Sequence, residues 1–155
     1  IEAYIEKLEC ENNRAKQIFS EINKGGIKVD SVKITERGWA GHFICSGQCR
    51  FRRNTLIEYG DKKWVVSTVG NQRHPQTREL MKIGADRWYE TMAFEACSKL
   101  GYIDADIDKE LDIESECGLY AATKEELYEK YPLMDNVANE MHEAVVSELA
   151  EKIKE

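Results

Sequence analysis

Apolar and polar residues recur with two different periods along the chain, and the change from one to the other marks its elements. Residues 2–24 carry Ile5, Leu8, Ala15, Ile18, Phe19 and Ile22 near helical spacing, followed by Gly25-Gly26 as a C-terminal cap, and so predict an amphipathic helix. Over residues 27–35 the pattern becomes β-branched and alternating, which predicts a strand joined to Trp39 through a Glu36-Arg37-Gly38 turn. The length of that turn leaves its register open. A three-residue loop puts Val32 and Ile34 on the basic face of the neighbouring sheet, and a four-residue loop puts them in the core.

The stretch 39–70 reads as two successive hairpins, with Ser46-Gly47-Gln48 between Cys45 and Cys49, and Gly60-Asp61 between Tyr59 and Lys62, supplying the turns. The first turn pairs Phe43 with Phe51 and His42 with Arg52. The second pairs Ile57 with Trp64, Thr55 with Val66 and Arg53 with Thr68. Because side chains alternate across a strand, both registers place Trp39, Phe43, Phe51, Ile57, Trp64 and Val66 on one face, the expected core. His42, Arg50, Arg52, Asn54, Glu58, Lys63 and Ser67 fall on the other, among Ile44, Leu56 and Val65.

Residues 71–78 are polar and hold one of only two prolines, so they read as a mobile connection, with a short helix over 77–82. In 86–96, DRWYETMAFEA, the residues Trp88, Met92, Phe94 and Ala96 share one side of a strand that would return beside 64–69; a helix is the alternative. From Asp104 to Glu116 every second residue is acidic, which predicts an extended segment with one solvated face. Thr123, followed three residues later by Glu126, opens a short helix stopped by Pro132. A last helix, 135–154, aligns Val137, Met141, Val145 and Leu149. The expected fold is a single α+β domain: an antiparallel sheet, a meander of hairpins, packed by N- and C-terminal helices.

Composition narrows the class. No apolar run approaches the roughly 20 residues a membrane span needs, and no signal-peptide pattern is present, so a soluble, cytoplasmic chain with no membrane contact is expected. Five cysteines without framework spacing point to reduced thiols. The net charge of -7 is unevenly spread: residues 1–103 hold 17 Lys and Arg against 13 Asp and Glu, and residues 104–155 hold 5 against 16. Such segregation either presents two faces to different partners or draws the two halves together.

Candidate chemistry is sparse. His42, Cys45 and Cys49 suggest zinc ligands, but the register sends the cysteines to the core and His42 to the other side, and no fourth ligand follows. Asp104, Asp106 and Asp108 begin like a calcium loop, which then requires Gly and Glu where Lys109 and Ser115 stand. His142-Glu143 lacks the second His of a zinc-protease helix, and neither a phosphate loop nor a nucleophile elbow occurs. No cofactor is implied. Two surfaces remain. The row Asp104, Asp106, Asp108, Glu110, Asp112, Glu114 and Glu116 would present carboxylates every ~6.6–6.8 Å, near the repeat of a nucleic-acid backbone. The basic residues His42, Arg50, Arg52 and Arg53, with Tyr59 or Tyr89 for stacking, would instead bind phosphates directly.

The strings GWAGHFICSGQCRFRRNTLIEYG, VVSTVG, RWYETMAFEA and NEMHEAVV resemble a family of small proteins encoded by bacteriophages and prophages, over most of the chain. The resemblance carries no catalytic residue. It implies an anti-defence setting: a non-enzymatic, anti-CRISPR-like protein that binds and occludes a host protein or nucleoprotein complex, with the acidic row as the contact surface. The alternatives are a metal-dependent hydrolase or binder of nucleotides or nucleic acid working through Arg50, Arg52 and His42, and a virion assembly protein.

Overall fold

The computed structural model describes residues 1–23, 31–43 and 46–155, and the chain forms two compact units, Ile1–Ser31 and Val32–Glu155. The first contains the expected helix, α1 (Glu2–Asn23). Its Gly25-Gly26 cap lies outside the described residues, as does the start of the strand expected over 27–35.

The second unit is built on an antiparallel sheet of β1 (Lys33–Arg37), β2 (Cys49–Tyr59), β3 (Lys62–Arg73), β5 (Tyr89–Lys99) and β6 (Tyr102–Glu110), in the spatial order β1-β2-β3-β5-β6. Two-residue strands, β4 (Leu80–Met81) and β7 (Gly118–Leu119), pair with β3 and β5. Two helices follow, α2 (Lys124–Lys130) and α3 (Met134–Lys152). The class is α+β.

The β2–β3 hairpin has the register its turn dictates: Tyr59 faces Lys62, Ile57 faces Trp64, Thr55 faces Val66 and Arg53 faces Thr68. Gly60, at φ 56, takes the left-handed conformation such a two-residue loop needs. β5 pairs with β3, Val65 facing Phe94 and Thr68 facing Thr91, so 86–96 does supply the returning strand and not a helix. β1 sets Ile34 beside Ile57 and Glu36 beside Thr55, which puts Ile34 on the helix-covered face, at the sheet's half-open margin.

The first expected hairpin does not form. Residues 38–43 are bends and loop, Phe43 sits at φ 78, and Ser46–Gln48 is one turn of 3-10 helix. Residues 38–43 instead lie against the face of the sheet, the Gly41 amide and His42 meeting Ser67 of β3, while β1 pairs with residues 54–58 of β2; Cys45 lies outside the described residues. Trp39 is accordingly 41% exposed, and Phe43, Phe51 and Trp64 are only half-buried. Residues 71–73 extend β3, with Asn71 and Gln72 buried, and 80–81 pair against them as β4, so this stretch is neither a loose connection nor a helix over 77–82. In the acidic segment, Ala96 faces Ala105 while Phe94 faces Glu110. Residues 106–109 therefore bulge opposite Glu95, and the evenly extended row does not exist.

Helix α3 covers one face of the sheet. Val145, Val146, Leu149 and Ile153 pack on Ile57, Val66 and Ala93, while Met141 and Ala138 meet Tyr89, Leu119, Leu127 and Tyr131 nearer its start. The predicted stripe and the predicted capping box are both in place: Thr123 Oγ1 accepts from the Glu126 amide at 3.2 Å, and the Glu126 carboxylate accepts from the Thr123 amide at 3.3 Å.

A second core forms on the other face, where Leu56, Val65, Phe94 and Ala105 pack with Met92 and Ile103. The sheet curls until its outermost strands meet. Arg37 of β1 donates to the Ile103 carbonyl of β6 and lies 3.6 Å from Asp104, and the Trp39 indole donates to Asp104 at 3.1 Å. No helix among the described residues is long and apolar enough to cross a membrane.

Candidate functional site

The seven acidic residues do different things. Asp104 is half-buried and held by Arg37 and Trp39. Asp106 accepts the Asp108 amide at 3.1 Å, a local turn that shapes the bulge. Glu114 lies 3.9 Å from Lys152. Among the described residues, Asp108, Glu110, Asp112 and Glu116 are exposed and have no ion-pair partner.

Beyond the bulge the period of two survives without a strand: Leu111, Ile113 and Ser115 turn inward while Asp112, Glu114 and Glu116 face solvent. Glu148 of α3 fixes this stretch. It accepts the Glu114 amide at 3.0 Å, and the Ser115 amide and hydroxyl at 2.7 Å each. Burial works to raise its pKa, but the hydrogen bonds from Ser115 and Glu114, with Lys152 beside it, prevail and bring it to about 2. The acidic surface is thus two anchored stretches separated by a bulge, not one ruler of evenly spaced charge.

The basic candidates do not share a face. Arg53 points to the α3 side, where it reaches Glu36 at 2.9 Å, Glu143 at 2.7 Å and Asn139 at 3.3 Å. Arg50 donates to Asp135, at the start of α3, at 2.7 Å. His42 lies on the opposite face, and Arg52 alone of the four is exposed without a partner among the described residues. A common phosphate-binding face of these four is not formed. Tyr89 is buried with its hydroxyl on Asp135 at 3.0 Å, which removes it as a stacking platform.

Two histidine networks flank the central strands. On the face away from α3, Ser67 Oγ lies 2.7 Å from His42 Nδ1, and His42 Nε2 lies 3.1 Å from Glu90. The carboxylate can only accept, so Nε2 carries a proton, and in the neutral imidazole Nδ1 then accepts from Ser67. This has the serine–histidine–carboxylate order of a serine-hydrolase triad, with the two ring nitrogens exchanged. The serine, however, is wholly buried in β3, and its Oγ accepts the Gly41 amide at 2.9 Å. No substrate carbonyl can reach it, and the three groups tie loop 38–43 to the sheet. Burial tends to raise the Glu90 pKa, but His42 and Arg87 outweigh that and lower it.

Under α3, His142 is completely buried, with Nε2 2.7 Å from Thr55 Oγ1 and Nδ1 2.7 Å from Thr68 Oγ1. Thr55 donates to the Glu36 carboxylate at 2.7 Å. It must therefore accept from Nε2–H, which leaves Nδ1 to accept from Thr68, and Thr68 to accept from Thr91 at 2.7 Å. The imidazole is neutral: burial first, then the nearby Arg53 charge, lowers its pKa to about 4. In the sequence His142 stands out only as half of a failed metal motif; its two threonine partners, and Thr91 behind Thr68, come from three strands and give no local sign. Among the described residues no group of three or more His, Cys, Asp or Glu side chains is placed to hold a metal ion.

Comparison with protein-family models, with curated proteins and with solved structures finds no match for this chain.

Proposed function

We propose that the chain is a non-enzymatic binding protein whose acidic second half seats on a Lys- and Arg-lined groove of a host nucleoprotein and occludes it, as a phage-encoded anti-defence inhibitor would in the host cytoplasm. The observation that carries this reading is the distribution of uncompensated charge. Asp108, Glu110, Asp112 and Glu116 are exposed without ion partners, on segments held in place by Asp104, Asp106 and Glu148. Of the rival basic residues, Arg50, Arg53 and His42 are engaged inside the molecule, which leaves Arg52. Electrostatic recognition of this kind speeds encounter and rejects anionic competitors, and it is screened within about 8 Å at physiological salt.

The test is capture of the partner from host lysate by the parent protein and by two charge-reversed variants, Asp108→Lys with Asp112→Lys, and Arg52→Glu. Capture should be lost in the acidic variant, kept in Arg52→Glu, weakened by salt and competed by duplex DNA or RNA. Retention by the acidic variant together with loss in Arg52→Glu would mark the protein as a nucleic-acid binder instead.

A further inference from the structure

A hollow of about 270 Å³ lies between the start of β2 and the loop that joins β3 to β4, and three guanidinium groups, those of Arg50, Arg73 and Arg78, line it together with Gln48 and Pro75. Their hydrogen-bonding capacity is unequally used. With the Asn71 amide oriented so that its oxygen faces Arg50, that oxygen accepts from Nε at 2.8 Å and Nη2 at 2.9 Å, and Asp135 takes a further bond from Nη2. Arg50 is therefore a fixed wall. Arg73 gives one nitrogen to the Arg78 carbonyl at 3.2 Å. No acceptor among the described residues meets the Arg78 guanidinium or the remaining Arg73 nitrogens. Gln48 has its oxygen on Gln72 at 2.9 Å, so its amide N–H groups are left to donate.

The turn that presents Arg78 is an independent observation. His74 Nδ1 accepts the amides of Gln76 and Thr77 at 3.2 and 3.1 Å, the Arg78 amide returns to the His74 carbonyl at 2.9 Å, and the His74 amide meets the Glu79 carbonyl at 2.9 Å. Within this closed turn Arg78 takes φ 63, a left-handed conformation that Gly or Asn adopts more readily. Any side chain with a Cβ is disfavoured at such a position, and backbone strain of this kind gathers at ligand-binding sites. Three like charges gathered around one hollow, with Asp135 the single carboxylate bonded to any of them among the described residues, add to the argument, because an anion bound there would relieve their repulsion.

We propose that this hollow binds the phosphate group of a small phosphomonoester. The guanidinium forks of Arg73 and Arg78 match phosphate oxygens bidentately, Arg50 supplies a third fixed charge, and Gln48 supplies a neutral donor. A volume below the roughly 300–1,000 Å³ of pockets for drug-sized ligands suits a phosphate with a small body. The site shares none of the carboxylates of the acidic surface, and it stands whether or not that surface binds a nucleoprotein.

The test is calorimetric titration of the full chain with inorganic phosphate, glycerol 3-phosphate and glycerol at constant ionic strength. Arginine Nε resonances are followed alongside. Saturable binding of glycerol 3-phosphate, stronger than that of inorganic phosphate and absent with glycerol, is expected, with shifts at Arg73 and Arg78. Arg73→Gln and Arg78→Gln should each weaken it tenfold or more. Arg78→Gly, which removes the strained side chain, should lose binding while its thermal midpoint is unchanged or higher. No saturation up to about 10 mM, or binding indifferent to Arg73→Gln and Arg78→Gln, would overturn the site. Equal competition by an oligonucleotide without a terminal phosphate would overturn the small-molecule assignment in favour of a nucleic-acid backbone.

Discussion

His142 carries charge-state information that its neighbours enforce. In the unfolded chain an imidazole titrates near 6.5, whereas between Thr55 and Thr68 it holds to about 4. The unfolded state therefore takes up a proton that the folded state refuses. The stabilisation is full above pH 6.5 and is lost progressively as the pH falls toward 4, by on the order of 3 kcal/mol for a shift of this size. The carboxylates of Glu36 and Glu148, both held below their ordinary values, act in the same sense, their stabilisation being lost as the pH falls, but over a lower window, beneath about 4.5, so the two effects separate on the pH axis. Urea midpoints measured between pH 7 and 4.5 should fall steeply for the parent and much less for His142→Gln. A variant that keeps the parent's full slope would place the titrating group elsewhere.

Elements whose logic is local were legible in the chain. The β2–β3 register followed from Gly60-Asp61, α2 from Thr123 and Glu126, and the α3 stripe from Met141, Val145 and Leu149. The hairpin expected at 39–51 does not form because its alternating aromatics and its Gly-containing turn carry no information about the contacts that hold 38–43 elsewhere, Trp39 on Asp104 and Gly41 and His42 on Ser67. The acidic segment reads as one extended run for a similar reason: its period of two is real, but the bulge at 106–109 is set by how β6 meets β5. Nor does any local pattern reveal that Glu148 holds Glu114 and Ser115 from α3, or that Arg73 and Arg78 share a hollow with Arg50. The Glu148 tie makes a specific prediction. In Glu148→Ala the amides of Glu114 and Ser115 should lose hydrogen-exchange protection while those of Val66 and Ala93 keep theirs. Uniform loss across both sets would mean that the tie supports the whole sheet and not this segment.

At the scale of the second unit, the sheet has a core on each face, and among this unit's described residues a helix covers one of them. The other, around Leu56, Val65 and Phe94, depends on the curl that brings Arg37 to Ile103 and Asp104 and Trp39 to Asp104. The closure is imperfectly satisfied: Arg37 Nη2 and Asn54 Nδ2 are buried without hydrogen-bond partners. Each such group costs about 1–3 kcal/mol, so Arg37→Met relieves one of them but leaves the buried Asn54 Oδ1 and the Ile103 carbonyl without their donor, and should lower stability by about 1–3 kcal/mol in a urea melt. Its effect should be seen in company. Strand margins with unpaired backbone groups are templates for adding strands from other molecules, and proteins guard them with short strands, bulges and inward charges. All three guards are present here, in five-residue β1, in the 106–109 bulge and in Arg37. Removing the arginine should shift the protein toward larger species on sizing chromatography at concentrations where the parent does not change, and an unchanged elution would show that the other two suffice. Should the larger species appear, Arg37 acts as a chaperone written into the chain, keeping each copy's sheet from becoming a seed for the next.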